Sequence, residues 1–162
     1  MIIYKDIATG DEYFTDCSKH KLVDNFVYEV QSKMVSLKSG IDSALIGGNP
    51  AEGEEECEEE DIKVNDIIHH QQLSEITVTD SAAFMELMKH TTKVIMKGGK
   101  IEDLDGWKLQ MKAFVGKIKP NIKEHSFYIG PTPDGMLIIS RWDNDTDQTF
   151  YFFKHGLEEE KA

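Results

Sequence analysis

DSAAFMELMKHTTKVIMKGGKIEDLDGWKLQMKAFVGKIKP, Asp80 to Pro120, decides the fold class of this 162-residue chain. Phe84, Leu87, Met88, Thr91 and Ile95 recur at 3, 4, 7 and 11 residues from the first, the spacing of one helix face. Asp80 stands where its carboxylate can cap the first turn. Gly98 and Gly99 end that helix, and a second begins near Asp103 to Asp105, whose charges suit the positive end of a helix dipole. It carries Trp107, Met111, Phe114, Val115 and Ile118 on one stripe before Pro120 disturbs it. The pattern predicts a helical hairpin over about 80–124, with its aromatic and methionine stripes reading as core rather than as a cofactor box.

The flanks have the other period. MIIYKDI at the start, FVYEV at Phe26 to Val30, LSEITV at Leu73 to Val78, and FYIG, MLIISRW and TFYFFK towards the end read as strands. Phe26, Tyr28 and Val30 alternate as a half-buried strand does, and PDG at Pro133 to Gly135 supplies turn chemistry. Strands before and after one helical excursion, without repeated βαβ units, predict an α+β fold: a mainly antiparallel body with a projecting hairpin.

Charge divides the chain in the same way. Asp80 to His125 holds nine lysines against six acids, a balance of +3, and the remainder holds nine bases (18 minus 9) against 24 acids (30 minus 6), a balance of −15. The acidity concentrates in IGGNPAEGEEECEEED, Ile46 to Asp61, where eight carboxylates follow a glycine-rich turn. Such a run cannot bury enough surface to fold, which predicts a solvated, self-repelling loop over about 38–66. A size of 162 residues and 40% hydrophobic composition fit one domain spanning 1–162.

The same figures exclude several functions. A formal charge of −12, with Arg141 the only arginine, opposes general nucleic-acid binding. No apolar run approaches the roughly 20 residues of a membrane helix, and the N-terminus lacks a signal-peptide core, so a cytosolic protein is expected. Cys17 and Cys57 form no metal-binding pair, and cytosolic redox conditions argue against a bridge between them. There is no phosphate loop, dinucleotide fingerprint, nucleophile elbow or H-E-x-x-H. His69 and His70 read as strand neighbours pointing to opposite faces, not as a metal pair. Asp143, Asp145 and Asp147 begin like a calcium loop, but Gln148 and Lys154 occupy the positions that need glycine and a bidentate glutamate. That stretch reads as a polar hairpin turn.

Several stretches together resemble the translationally controlled tumour protein family, also called histamine-releasing factor or fortilin. MIIYKDIATGDEYFTD is similar to the family's N-terminus, KMV at Lys33 to Val35 falls where expected, and IGGNPAEGEEE resembles its first signature, without the usual serine after the N-P step. HSFYIGPTPDGMLIISRW is similar to the second signature, with Pro131 where a glutamate is usual, and TFYFFKHGLEEEKA resembles the family's ending. The resemblance spans essentially the whole chain.

What it implies is a twisted β-rich body similar to the chaperones of Rab GTPases, without their structural zinc. It further implies a multi-partner cytosolic protein rather than an enzyme: a monomer that needs no cofactor, supports growth and cell survival, and reaches the cell exterior by an unconventional route. The implied partners are tubulin and microtubules, small GTPases, and apoptosis regulators, with weak calcium binding. Residue by residue, Glu12 matches the proposed GTPase contact, with nucleotide-exchange activity as the alternative function. Asn49 matches the residue linked with calcium. The tubulin association maps onto the hairpin, where Lys89, Lys93 and Lys97 recur every four residues. Around Lys21 to Tyr28, Val23-Asp24-Asn25 replaces the small residue and glycine of the family's death-domain-like motif, and the absence of a cysteine at Lys161-Ala162 removes the covalent dimer.

Overall fold

In a computed structural model of the chain, residues 1–38, 61–132 and 134–161 are described. Their strands are β1 (Ile2–Asp6), β2 (Glu12–Thr15), β3 (His20–Val23), β4 (Val27–Gln31), β5 (Met34–Lys38), β6 (Asp61–Asn65), β7 (Ser74–Ile76), β8 (His125–Ile129), β9 (Ile138–Trp142), β10 (Gln148–Phe153) and β11 (Leu157–Lys161). The helices are α1 (Asp66–His70), α2 (Ser81–Gly98) and α3 (Leu104–Ile118), with 3-10 turns at Lys119–Glu124 and Lys154–Gly156. A six-stranded sheet of order β3-β4-β10-β9-β8-β7 forms the centre, flanked by a three-stranded sheet β11-β1-β2 and a β5-β6 ribbon. Every pairing among the described residues is antiparallel, so the α+β class expected from the sequence holds.

β10 explains the layering. All six of its residues, QTFYFF, are buried, as befits a central strand covered on both faces. Successive side chains point to opposite faces. Phe152 meets Tyr13 and Phe14 of the small sheet at ring distances of 5.4 and 5.1 Å. Tyr151 and Phe153 meet Phe114 of α3 at 5.5 and 5.3 Å. The order of layers is therefore small sheet, central sheet, helical hairpin. Phe84 of α2 extends the last contact onto Phe127 of β8.

The FVYEV reading needs correction. Phe26 precedes β4 and turns its ring to the hairpin side, against Trp107, Phe114 and Phe153, whereas Tyr28 packs at a tilt against Tyr4 and Phe14 on the other layer. Val27, which follows Phe26 and alternates with Tyr28, is buried as well, because both faces of the strand are covered. The cause is the tight turn before it. Asp24 and Asn25 both have positive φ (54° and 53°), and the Phe26 N–H donates to the Val23 carbonyl, a type I′ geometry that Asp and Asn tolerate.

A buried carboxylate ties the small sheet to the segment before β9. Asp6, 1% exposed, accepts hydrogen bonds from the Tyr13 hydroxyl (2.6 Å), the Met136 N–H (2.9 Å) and the Ala8 and Thr9 N–H groups (2.7 and 3.2 Å). Gly135 is required there, since a Cβ would lie 2.7 Å from the Asp6 Oδ2. Thr91 makes the matching link from the hairpin, its Oγ1 accepting from the Leu137 N–H at 2.9 Å.

Burial raises the hydroxyl pKa of all five tyrosines, with Tyr28 reaching about 12 and Tyr13 held higher still by burial and by Asp6. The unfolded chain ionises its tyrosines near pH 10, so it loses protons before the native chain does, and stability falls as pH rises from about 10. A phenolate absorbance titration should show little ionisation of the native protein at pH 10, followed by release coincident with unfolding. Ordinary ionisation while the fold persists would contradict the packing of these rings.

Candidate partner-binding surface

The hairpin is set by its caps. The Asp80 carboxylate accepts from the Ala83 N–H at 2.8 Å and the Asp103 carboxylate from the Gly106 N–H at 3.2 Å, while Gly99 closes α2 with φ 72°. Phe84, Met88, Thr91 and Ile95 are buried beneath α2, and Trp107, Met111 and Ile118 beneath α3, as their spacing predicted. Lys89, Lys93 and Lys97 are exposed on α2. The sequence reading did not pair them with α3, yet Lys108 and Lys112 stand exposed across from Lys89 and Lys93, and the four lysines rim one cleft of about 420 Å³. Only the docking of the two helices reveals this second rail. None of these lysines has a carboxylate partner among the described residues.

Glu12 lies elsewhere, at the start of β2, exposed and opposite Lys5 in the strand register. Lys5 is ion-paired with Glu160 instead. The corner carrying Glu12 is held firmly: Asp6 bonds the turn on one side, and Asp11 accepts from the Thr132 N–H and Oγ1 at 2.9 and 3.0 Å on the other. Asp6, Asp11 and Thr132 escaped the sequence reading because their role depends on a segment more than a hundred residues away.

The other candidates separate. Asn49, Cys57 and the acidic run up to Glu60 lie outside the described residues, as does Pro133 of the PDG turn. His69 and His70 are not on a strand. Asn65 accepts from the Ile67 and Ile68 N–H groups and starts α1, leaving both histidines exposed in its last turn. Asp143 to Asp147 form the turn between β9 and β10, and several of its side-chain oxygens are engaged by neighbours. Asn144 Oδ1 accepts from the N–H groups of Thr146 and Asp147, and Asp143 accepts from Arg141 Nε and Thr149 Oγ1. Among the described residues no group of three or more His, Cys, Asp or Glu is placed to hold a metal ion. Cys17 is exposed and has no disulfide partner among the described residues. No described helix is long and apolar enough to cross a membrane.

The structure is an antiparallel α+β body that carries a capped helical hairpin with a lysine-railed cleft and, apart from it, an exposed carboxylate on a hydrogen-bonded corner. The chain belongs to the translationally controlled tumour protein family, whose pattern matches residues 1–158. It is 35% identical over 168 residues to the translationally-controlled tumor protein homolog of Branchiostoma belcheri, with 99% of each chain covered, and 38% identical over 174 residues to that of Labeo rohita, with all of each covered. Its structure is similar to that of the tumor-associated protein p23fyp from Schizosaccharomyces pombe, with a TM-score of 0.77, 35% identity and full coverage of both chains. The corresponding protein of Caenorhabditis elegans gives 0.64 at 28% identity, covering 100% of this chain and 99% of the other.

Proposed function

We propose that the chain is a cytosolic, monomeric multi-partner binding protein whose hairpin recognises acidic protein surfaces, tubulin among them. The observation that carries this reading is the row of Lys89, Lys93 and Lys97, exposed and without carboxylate partners among the described residues, on the basic segment of an otherwise acidic chain. Such a row attracts acidic surfaces over a Debye length and loosens with salt. Exchanging all three for glutamate should abolish co-sedimentation with microtubules at low salt while leaving Tm within a few degrees. Sedimentation equal to that of the native protein would defeat the assignment. Contacts with apoptosis regulators, and weak calcium binding at Asn49, belong to the same proposal. A calcium titration that moves the amides of Asp143 to Asp147 and spares Asn49 would remove the latter.

A second reading has its own observation: Glu12 is exposed on a corner braced from both sides. A small GTPase meeting that corner would find a carboxylate already positioned. If the protein is an exchange factor, catalytic amounts accelerate nucleotide release and Glu12→Ala removes the effect. Binding without acceleration makes Glu12 a docking contact only.

A further inference from the structure

The cleft between α2 and α3 has a chemistry that a lysine row alone does not explain. Its floor is Met85, Met88 and Met111 with Trp107 and Val115, and apart from the lysines Thr92 is the only residue with a hydroxyl or amide side chain that lines it among the described residues. Met88, Trp107 and Met111 also belong to the core, so the floor is continuous with the packed interior. Thioether side chains adapt to varied apolar partners and recur on surfaces that bind helices. The rails run parallel to this floor. Lys89 and Lys93 are four residues apart on α2, and Lys108 and Lys112 four apart on α3, a repeat of about 6 Å along each helix.

We propose that this cleft takes an amphipathic helix that is apolar along one stripe and acidic on both flanks. The inference rests on the hairpin being a partner surface and names the partner's chemistry. Charge complementarity selects the acid, since four lysines without a carboxylate partner among the described residues border the cleft. The form follows from the two rails. A strand has only two faces and cannot set an apolar row into the floor while reaching both rims with carboxylates. A helix does so, with apolar residues at i, i+4 and i+7 and glutamates beside them, and it lies over two antiparallel helices as the third member of a bundle. A volume of about 420 Å³ falls within the usual range for small-ligand sites, roughly 300–1,000 Å³, which means a few anchor side chains rather than a deep insertion.

The probe is a labelled helical peptide of about 20 residues, long enough to hold its helix, with leucines on one stripe and glutamates on both flanks. A second peptide replaces the leucines by serine at equal charge. The leucine peptide should bind the native chain at least tenfold more tightly than the serine peptide. Lys108→Glu with Lys112→Glu should weaken it at least tenfold, the milder Lys→Gln pair less so, and Lys123→Glu, exposed on the turn after α3 and outside the cleft, should leave its affinity unchanged, with Tm reporting that each variant is folded. Equal binding of the two peptides overturns the proposal and leaves a merely electrostatic surface. Two other results overturn it as well: capture of vesicles containing phosphatidylserine by these lysines with no peptide bound, or a concentration-dependent dimer lost in the Lys108 and Lys112 variant. Microtubule binding lost in the Lys89, Lys93, Lys97 variant without leucine-peptide binding sinks the cleft alone. Peptide binding without microtubule binding sustains the cleft and removes tubulin.

Discussion

Asp6→Ala should lower the free energy of unfolding by about 4 kcal/mol, because it strands two buried donors, the Tyr13 hydroxyl and the Met136 N–H, at roughly 1–3 kcal/mol each, and loosens the Ala8 and Thr9 turn. For a chain of this size that corresponds to a fall in Tm of about 10 °C. Asp6→Asn keeps one acceptor in place and should recover part of the loss. Tyr13→Phe, which removes one of the donors together with its need for a partner, should be milder than Asp6→Ala. Urea denaturation of the three variants measures the order. A loss below about 1 kcal/mol for Asp6→Ala would mean that water replaces the carboxylate and that the corner carrying Glu12 does not depend on it.

Phe152→Ala should be comparably damaging for a different reason. Its ring is fully buried and lies between Tyr13, Phe14 and Phe150, at 5.4, 5.1 and 6.3 Å, where the small sheet meets the central one. Truncation of a buried phenylalanine costs about 3–5 kcal/mol, the larger values where surroundings cannot collapse. Strands on both sides hold the backbone apart, so the cavity should persist. Phe152→Leu should cost less than half as much. If the two variants were equally stable, the layers would be closing over the gap.

The hairpin was legible because its signals are local. Caps, a glycine stop and a 3.6-residue stripe all lie within forty positions, and helix burial follows directly from them. β11 was not, since LEEEK has no apolar alternation: only Leu157 is buried, and the strand exists because its backbone pairs with β1. α1 was missed through its shortness, as a five-residue helix depends on the Asn65 cap more than on periodicity. Of the candidate site, the exposure of Glu12, Lys89, Lys93 and Lys97 followed from sequence. The second rail at Lys108 and Lys112 did not, because the rotation of one helix against its neighbour is set by Phe26, Phe84 and Phe127, outside the stripe that carries the lysines.

The pairing of β1 with β11 also governs how the chain is born. Tyr4 sits opposite Glu159, and Val30 opposite Phe150, so both the small sheet and the middle of the central one wait for segments synthesised much later. While the ribosome is still adding the hairpin, β1 to β4 already hold several of the aromatic rings of the future core but lack β10 to cover them. At about 5–20 residues per second, that interval lasts several seconds or more. A nascent chain arrested before β10 should therefore be protease-sensitive in its first thirty residues, with protection arriving abruptly once β10 and β11 have left the exit tunnel.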